Sequence, residues 1–260
     1  MELGLTGRKA LITGASKGIG EAIALRFAQE GVHLALVART AADLAEVKKT
    51  IQGRWNVEVQ TFALDMSESK NAQLLARECG HFDILVNNAG SIPRGTVEEI
   101  DEERWRKAWE LKVFGYINMT RAFYALMRKR RSGVIINILG TGGERLDSRY
   151  ICGSAGNAAL IAFTRALGGN SPEDGLRVVG INPGPVATDR LISLLQKEAK
   201  DRFGDAERWS ELVKPMPFQR AGTPDEIAVM TVLLASDLSA YTSGTVVTID
   251  GGQVHQGSLI

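Results

Sequence analysis

The sequence has few of the residues on which disulfide scaffolds and metal centres are built. Two cysteines, Cys79 and Cys152, and three histidines occur in 260 residues, far apart and without the spacing of metal ligands. We therefore expect neither a disulfide framework nor a zinc site, and no residue is assigned as a metal ligand.

The chain also lacks a charge imbalance and a long apolar run. Its 31 basic and 30 acidic residues leave a net charge of +1, which argues against nucleic acid or a membrane surface as a partner. No apolar run approaches the length of a membrane span, and the first residues, MELGLTGRKALITGA, lack the pattern of a signal peptide. We expect a cytoplasmic protein that acts on a small molecule.

A length of 260 residues suits a single α/β domain spanning residues 1–260. Short runs that are apolar on both faces alternate with longer stretches of helical period, as in strands buried between helix layers. This alternation predicts a doubly wound, seven-stranded parallel sheet with helices on both faces. The predicted strands are 9–13, 32–38, 57–64, 83–88, 133–139, 176–182 and 245–250.

The segment TGASKGIG, residues 13–20, lies where the first predicted strand gives way to the first helix. Its glycines allow a tight turn and a close approach of the backbone to a pyrophosphate, which the N–H groups of the helix N-terminus would bind. A glycine-rich turn alone is weak evidence, but its position between a strand and a helix predicts a dinucleotide phosphate site.

Two cations predict which dinucleotide binds. Arg39 ends the second predicted strand, and Lys17 lies in the glycine-rich turn. An acidic residue at the strand end suits the ribose hydroxyls of NAD(H), whereas an arginine accommodates a 2′-phosphate. We therefore expect NADP(H) to be preferred, with NAD(H) as the alternative.

Three motifs together resemble the short-chain dehydrogenase/reductase family: TGASKGIG, NNAG at 87–90 and NPGPVATD at 182–189. The resemblance implies a Rossmann-type fold, an oxidoreductase acting on a carbonyl or alcohol, and a homodimer or homotetramer. It also implies a substrate lid at about 188–220, whose apolar residues favour a hydrophobic or aromatic substrate. The implied cofactor-binding residues are Gly14, Ser16, Lys17, Gly18, Ile19, Gly20, Arg39, Asp65, Met66, Asn88, Ala89, Gly90, Asn157, Pro183, Gly184, Val186 and Thr188.

The catalytic positions of the family carry other residues here. The family uses Asn, Ser, Tyr and Lys, and the surrounding sequence places these positions at Lys112, Gly140, Gly153 and Asn157. The two glycines would leave room for water or a bulkier substrate. We hypothesise that Lys112 supplies the cation of the site and that Asn157 hydrogen-bonds the nicotinamide ribose. The alternative is that Lys112 reaches solvent and Asn157 fills space.

Tyr150 is the candidate proton donor, because it lies about one helical turn before Gly153. A nearby Lys112 ammonium would lower the pKa of the phenol, ordinarily about 10, by favouring the phenolate. The alternative role of Tyr150 is an aromatic pocket wall. The weaker candidates for the acid are Glu144, Asp147 and Cys152.

Three functions remain open. The first is an NADP(H)-dependent oxidoreductase with a non-standard catalytic site, since orientation of the reactants supplies much of the rate even without the family's phenol. The second is a non-redox lyase or decarboxylase that uses Lys112 as a base, an electrostatic catalyst or an imine-forming amine. The third is a nucleotide-binding homologue without catalysis.

Overall fold

The computed structural model describes residues 2–256, in which strands and helices alternate. The strands are β1 (Lys9–Thr13), β2 (His33–Ala38), β3 (Val59–Ala63), β4 (Ile84–Asn87), β5 (Gly133–Ile138), β6 (Leu176–Pro183) and β7 (Val246–Ile249). The helices are α1 (Gly18–Gln29), α2 (Ala41–Gln52), α3 (Ser69–Glu78), α4 (Glu102–Trp109), α5 (Gly115–Arg130), α6 (Ile151–Asn170), α7 (Asp189–Phe203) and α8 (Pro224–Ala235). Each predicted strand is present, with ends within two residues of those expected.

The strands form one parallel sheet in the order β3-β2-β1-β4-β5-β6-β7. The chain builds the sheet outward from β1 to β3, returns beside β1 as β4, and then builds outward in the other direction. Where the order reverses, the carboxyl ends of β1 and β4 border the crevice in which ligands of such sheets bind. The predicted doubly wound, Rossmann-type fold is confirmed.

The sheet is buried on both faces, because successive residues of its central strands are apolar. Leu36 and Val37 of β2 are both fully buried and point to opposite faces. Leu36 belongs to a core layer with Phe27 of α1 and Val232 of α8, whereas Val37 belongs to a second layer with Phe123 of α5. Between residues 2 and 256, no helix is long and apolar enough to cross a membrane.

The helical stretch between β4 and β5 is divided by a π-helical turn over Glu110–Phe114. Asp101 starts α4 by accepting a hydrogen bond from the backbone N–H of Arg104 at 2.8 Å. Turns of this kind occur mostly as single turns at functional sites. Lys112 lies at the centre of the turn and is buried, so the irregular turn holds an ionisable side chain inside the fold.

Helix α6 approaches the neighbouring backbone closely at Gly168. A Cβ at this position would overlap the backbone N of Gly244 and the carbonyl oxygen of Val178. A Cβ on the adjacent Gly169 would meet no atom within 4 Å. These two glycines therefore separate the effect of close packing from the effect of helix propensity.

We expect Gly168→Ala to lower the free energy of unfolding by about 1–3 kcal/mol, because the backbone of α6 must shift away from the sheet. Gly169→Ala is the matched control and should raise this free energy by up to about 1 kcal/mol, since alanine favours the helix. Urea titration followed by circular dichroism measures both changes. Equal destabilisation by the two substitutions would contradict the close-packing explanation.

Candidate active site

The glycine-rich turn lies at the crevice between β1 and α1. Gly14 and Gly18 have φ values of +66° and +59°, in the left-handed region that favours glycine. A Cβ on Gly14 would lie 2.9 Å from the Cα of Ala89, and one on Gly20 would overlap the carbonyl oxygen of Gly14. The turn therefore excludes side chains where α1 presents the N–H groups of its first turn.

Asn88 ties this turn to the end of β4. Its Nδ2 donates hydrogen bonds to the carbonyl oxygens of Thr13 and Gly14, both at 3.1 Å. The Oγ1 of Thr13 accepts hydrogen bonds from the backbone N–H groups of Asn88 and Ala89, at 3.0 and 3.1 Å. The first two motifs thus form one hydrogen-bonded wall of the crevice.

The third motif borders the crevice from the side of β6. Pro183 ends β6, Gly184 follows it, and Val186 is buried. Thr188 caps α7 and approaches the glycine-rich turn, because a Cβ on Gly18 would lie 3.1 Å from its Cγ2. The structure therefore brings the predicted residues of all three motifs together.

The residues predicted for the adenosine half lie at the ends of β2 and β3 and in the turn. Arg39 and Lys17 are exposed. Asp65 accepts hydrogen bonds from the backbone N and the Oγ of Ser67 at 2.9 and 2.8 Å, and Met66 after it is buried. The other predicted residues of the turn, Ser16 and Ile19, are half-buried.

The crevice carries hydrogen-bonding groups that suit a dinucleotide. Gly14 and Gly20 let the turn pack closely against the end of β4 and against itself, and α1 begins there with free N–H groups that would bind a pyrophosphate. Asn157 is buried in α6, and its Nδ2 donates to the carbonyl oxygen of Gly153 at 2.9 Å. Its Oδ1 has no hydrogen-bond partner within residues 2–256. A ribose hydroxyl is a donor that would satisfy this oxygen.

The side chain of Lys112 crosses from the π-helical turn to the end of β5. Its Nζ donates to the carbonyl oxygens of Ile138 at 2.7 Å and Leu139 at 3.3 Å, and to the Oη of Tyr116 at 2.9 Å. Only 7% of Lys112 is exposed, and a Cβ on Gly90 would lie 2.6 Å from its Cδ. Lys112 therefore lies beside the NNAG motif, and the alternative in which it reaches solvent is wrong.

The environment of Lys112 changes its protonation. Burial, with a smaller contribution from the guanidinium of Arg190, lowers the pKa of Lys112 to about 7. Burial also raises the pKa of Tyr116 well above its ordinary value, so this phenol stays protonated and donates to Ile138 at 2.8 Å. Near neutral pH, the amino group of Lys112 is therefore divided between its charged and neutral forms.

Tyr150 immediately precedes α6, and its ring lies over the first turn of that helix. A Cβ on Gly153 would overlap the ring carbons of Tyr150, so the tyrosine fills this space. The prediction that Gly153 leaves room for water or a bulkier substrate is therefore wrong. At Gly140 a Cβ would lie 3.4 Å from the amide atoms of Asn157, so the structure has room for a side chain there.

The prediction that Lys112 lowers the pKa of Tyr150 is also wrong. Burial raises the pKa of Tyr150, and the cations that partly oppose this rise are Arg190 and Arg94. The amino group of Lys112 is instead bonded to Tyr116 and to the end of β5. Tyr150 is consequently a protonated phenol at neutral pH, with guanidinium groups as its nearby cations.

The weaker candidates for the acid are engaged elsewhere. Glu144 pairs with Arg165 at 3.5 Å, and Asp147 accepts a hydrogen bond from the backbone N–H of Arg149 at 2.8 Å. Cys152 is fully buried, which raises the pKa of its thiol. Between residues 2 and 256, no group of three or more His, Cys, Asp or Glu side chains is placed to hold a metal ion.

Sequence reasoning missed Tyr116 and Arg190. Tyr116 lies four residues after Lys112, a spacing at which helical side chains meet, and this signal could have identified it. Arg190 has no comparable local signal. Its Nη2 reaches the carbonyl oxygen of Ile92 at 2.7 Å, a contact between residues far apart in the chain.

Comparison with known proteins agrees with this geometry. A family model described as short chain dehydrogenase matches residues 8–199. The chain is 32% identical to the glucose and ribitol dehydrogenase of Daucus carota, over 97% of this chain and 87% of that protein. It is 30% identical to NADPH-dependent aldehyde reductase 1, chloroplastic, of Arabidopsis thaliana, over 96% of this chain and 87% of that protein. The L-sorbose reductase of Gluconobacter frateurii, solved with NADPH and L-sorbose, superposes with a TM-score of 0.92 and 32% identity, covering 99% of this chain and 100% of that one.

The buried amine predicts a pH-dependent stability. Because the pKa of Lys112 lies below the value of about 10.4 for an unfolded lysine, the unfolded chain binds more protons from about pH 7 to pH 10. In that interval the free energy of unfolding of the wild type should rise relative to Lys112→Met, by up to about 1.4 kcal/mol per pH unit.

Urea titrations of both proteins from about pH 6 to pH 10 measure this difference. Lys107→Met, which removes an exposed lysine of α4, is the control and should run parallel to the wild type. A Lys112→Met curve that also runs parallel to the wild type would contradict the depressed pKa.

Proposed function

The chain belongs to the short-chain dehydrogenase family, and on this basis we propose that it is an NADP(H)-dependent oxidoreductase that interconverts a carbonyl and an alcohol. The observation that carries the proposal is the crevice itself. Three separate motifs meet at the ends of β1, β4 and β6, around a turn with no space for a Cβ at Gly14 or Gly20. This architecture serves to hold a dinucleotide, whatever residues stand at the catalytic positions.

Tyr150 is the proposed proton donor. Bound NADPH would supply the hydride to the carbonyl carbon, and the protonated phenol would supply the proton to the carbonyl oxygen. Arg190 and Arg94, which oppose the rise in the pKa of Tyr150, would stabilise the phenolate left behind. In this proposal Asn157 binds the ribose through Oδ1, and Lys112 supplies a buried cation beside Gly90.

The substrate and the assembly are part of the same proposal. Leu194 and Phe218 lie in the proposed lid at 188–220 and are 44% and 80% exposed, which supports an apolar or aromatic part in the substrate. A homodimer or homotetramer, the assembly implied by the family, remains a prediction. Exposed small side chains on α6 at Ala155, Ala159 and Ala162 are compatible with it.

Lys112 supports a second candidate, a lyase or decarboxylase on the same scaffold. A pKa of about 7 provides the neutral amine that forms an imine with a carbonyl compound. Against this role, the Nζ is buried and already donates to three acceptors, which a substrate would have to displace. The oxidoreductase is therefore the better-supported function.

The absorbance of the nicotinamide band, measured with NADPH and a broad panel of aldehydes and ketones, tests the proposal. We expect NADPH to bind and at least one carbonyl compound to oxidise it. Tyr150→Phe should lower kcat by about 10²–10⁴-fold without changing the Kd for NADPH, because it removes only the proton donor. Tyr241→Phe, at a fully exposed tyrosine, is the control.

Other outcomes of the same assay favour the remaining functions. Binding without turnover across the panel favours a nucleotide-binding homologue without catalysis. A substrate imine trapped on Lys112 by borohydride favours the lyase or decarboxylase. Full activity in Tyr150→Phe would contradict the role of Tyr150 as proton donor and would favour its alternative role as an aromatic wall of the pocket.

Arg39 should determine the cofactor preference, since it is exposed at the end of β2. We expect Arg39→Asp to raise the Kd for NADPH by about tenfold or more, because it removes a charge-assisted hydrogen bond to the 2′-phosphate. The variant should therefore favour NADH. Fluorescence titration with both cofactors measures the ratio. Arg77→Asp, at an exposed arginine of α3, should leave the ratio unchanged, and an unchanged ratio in Arg39→Asp would overturn the assignment.

A further inference from the structure

Two segments distant in sequence meet beside Tyr150. The backbone N–H of Gly95 donates to the carbonyl oxygen of Arg149 at 2.8 Å, and Gly95 forms an isolated β-bridge with Tyr150. Arg94 is the residue before Gly95, and its charge partly opposes the rise in the pKa of Tyr150 that burial causes. The mouth of the proposed site thus has a guanidinium on the loop that follows β4.

A third segment adds a second guanidinium. Arg190 lies in the first turn of α7 and donates through Nη2 to the carbonyl oxygen of Ile92 at 2.7 Å. This contact draws it across the crevice toward the loop after β4. Its charge adds to the fall in the pKa of Lys112 that burial causes and partly opposes the rise in the pKa of Tyr150, so it acts on the same space as the proposed proton donor.

The carboxylates of this region do not balance these cations. Asp147 faces both Arg94 at 3.5 Å and Arg149 at 3.8 Å, and Glu144 is paired with Arg165 at 3.5 Å. One carboxylate is thus shared between two arginines, and the other points to a different partner.

Asp189, the acidic neighbour of Arg190, acts on a carboxyl group of α1. Burial, and secondarily the charge of Asp189, raise the pKa of Glu21 on that helix. Arg94 and Arg190 are both exposed, and an anion bound between them would reduce the repulsion between their like charges.

We propose that the carbonyl substrate carries an anionic group, a carboxylate or a phosphate, that is bound by Arg190 with Arg94 at the mouth of the site. This inference rests on the proposed oxidoreductase function and adds the chemical class of the substrate. A guanidinium is the side chain best suited to such a group, because it binds carboxylate and phosphate in a planar, bidentate manner. The exposed apolar residues of the proposed lid leave the rest of the substrate free to be apolar.

Matched pairs of compounds that differ in one charge test the inference. The NADPH-loaded protein is titrated calorimetrically with phenylpyruvate and its methyl ester, and with dihydroxyacetone phosphate and dihydroxyacetone, and turnover is followed by absorbance. We expect the charged member of at least one pair to have a Kd about 10–100-fold lower and a correspondingly higher kcat/KM. The pair that shows the preference identifies the anion as carboxylate or phosphate.

Variants of Arg190 connect the preference to this residue. In Arg190→Met the ratio of the Kd of the neutral compound to that of the charged compound should fall close to one. In Arg190→Lys part of this preference should remain, because the charge stays while the bidentate geometry is lost. Arg202→Met is the matched control, since it removes an exposed arginine from the other end of α7 and should keep the full preference. Both methionine variants should bind NADPH with the affinity of the wild type.

The inference is overturned if neither member of any pair binds, if both bind equally, or if Arg190→Met keeps the preference. A weaker affinity of Arg190→Met for NADPH would overturn it too, since Arg190 would then bind the cofactor. Reduction of neutral carbonyl compounds alone would overturn the inference and leave the proposed function standing. A wild-type protein that does not bind NADPH would contradict the proposed function itself, and the inference with it.

Discussion

The close approach of two backbones at the ends of β1 and β4 is the constraint on which the rest of the crevice depends. Asn88 bonds to the carbonyl oxygens of Thr13 and Gly14, and the hydroxyl of Thr13 accepts the N–H groups that follow β4. Such contact leaves no volume for a Cβ at Gly14 or Gly20. Because the turn lies this close to the sheet, α1 begins with its N-terminus at the point where the strand order reverses.

A buried polar chain connects the end of β4 to the helical segments that carry Lys112 and Asn157. Asn87 donates to Thr120 of α5 at 3.1 Å and to Asn137 of β5 at 2.9 Å, and Asn137 donates to Thr164 of α6 at 2.9 Å. Inside a protein these bonds resist displacement, because a partner left unpaired there costs the desolvation of its polar group. Lys112 binds to the end of the same strand, β5. The two helices that carry Lys112 and Asn157 are thereby held in register with the crevice.

The proposed catalytic groups are a phenol and cations, as in the family, but they come from other positions in the chain. A tyrosine at 150 occupies the volume over Gly153, and the cations that act on it are arginines from the loop after β4 and from α7. The amino group of Lys112 donates instead to the end of β5 and to Tyr116. The exchange of lysine and asparagine between helices proposed from the sequence is therefore not a simple exchange of roles, since Lys112 donates to Tyr116 and Ile138. The proton transfer proposed for Tyr150 depends on Arg190 more than on Lys112.

Local patterns in the sequence were sufficient for the strands, their parallel order and the three motifs of the crevice. Runs apolar on both faces need burial between helix layers, and glycines at 14, 18 and 20 suit a tight turn between a strand and a helix. The partners of Lys112, Tyr150 and Arg190 could not be read in this way. A long side chain chooses among the acceptors and charges within its reach, and residues such as Ile92, Ile138 and Arg190 come within reach only when the sheet closes. The sequence by itself determined the fold and the order of the three motifs along it. The tertiary structure alone decided which cations act on which phenol, because that depends on burial and distance between segments far apart in the chain.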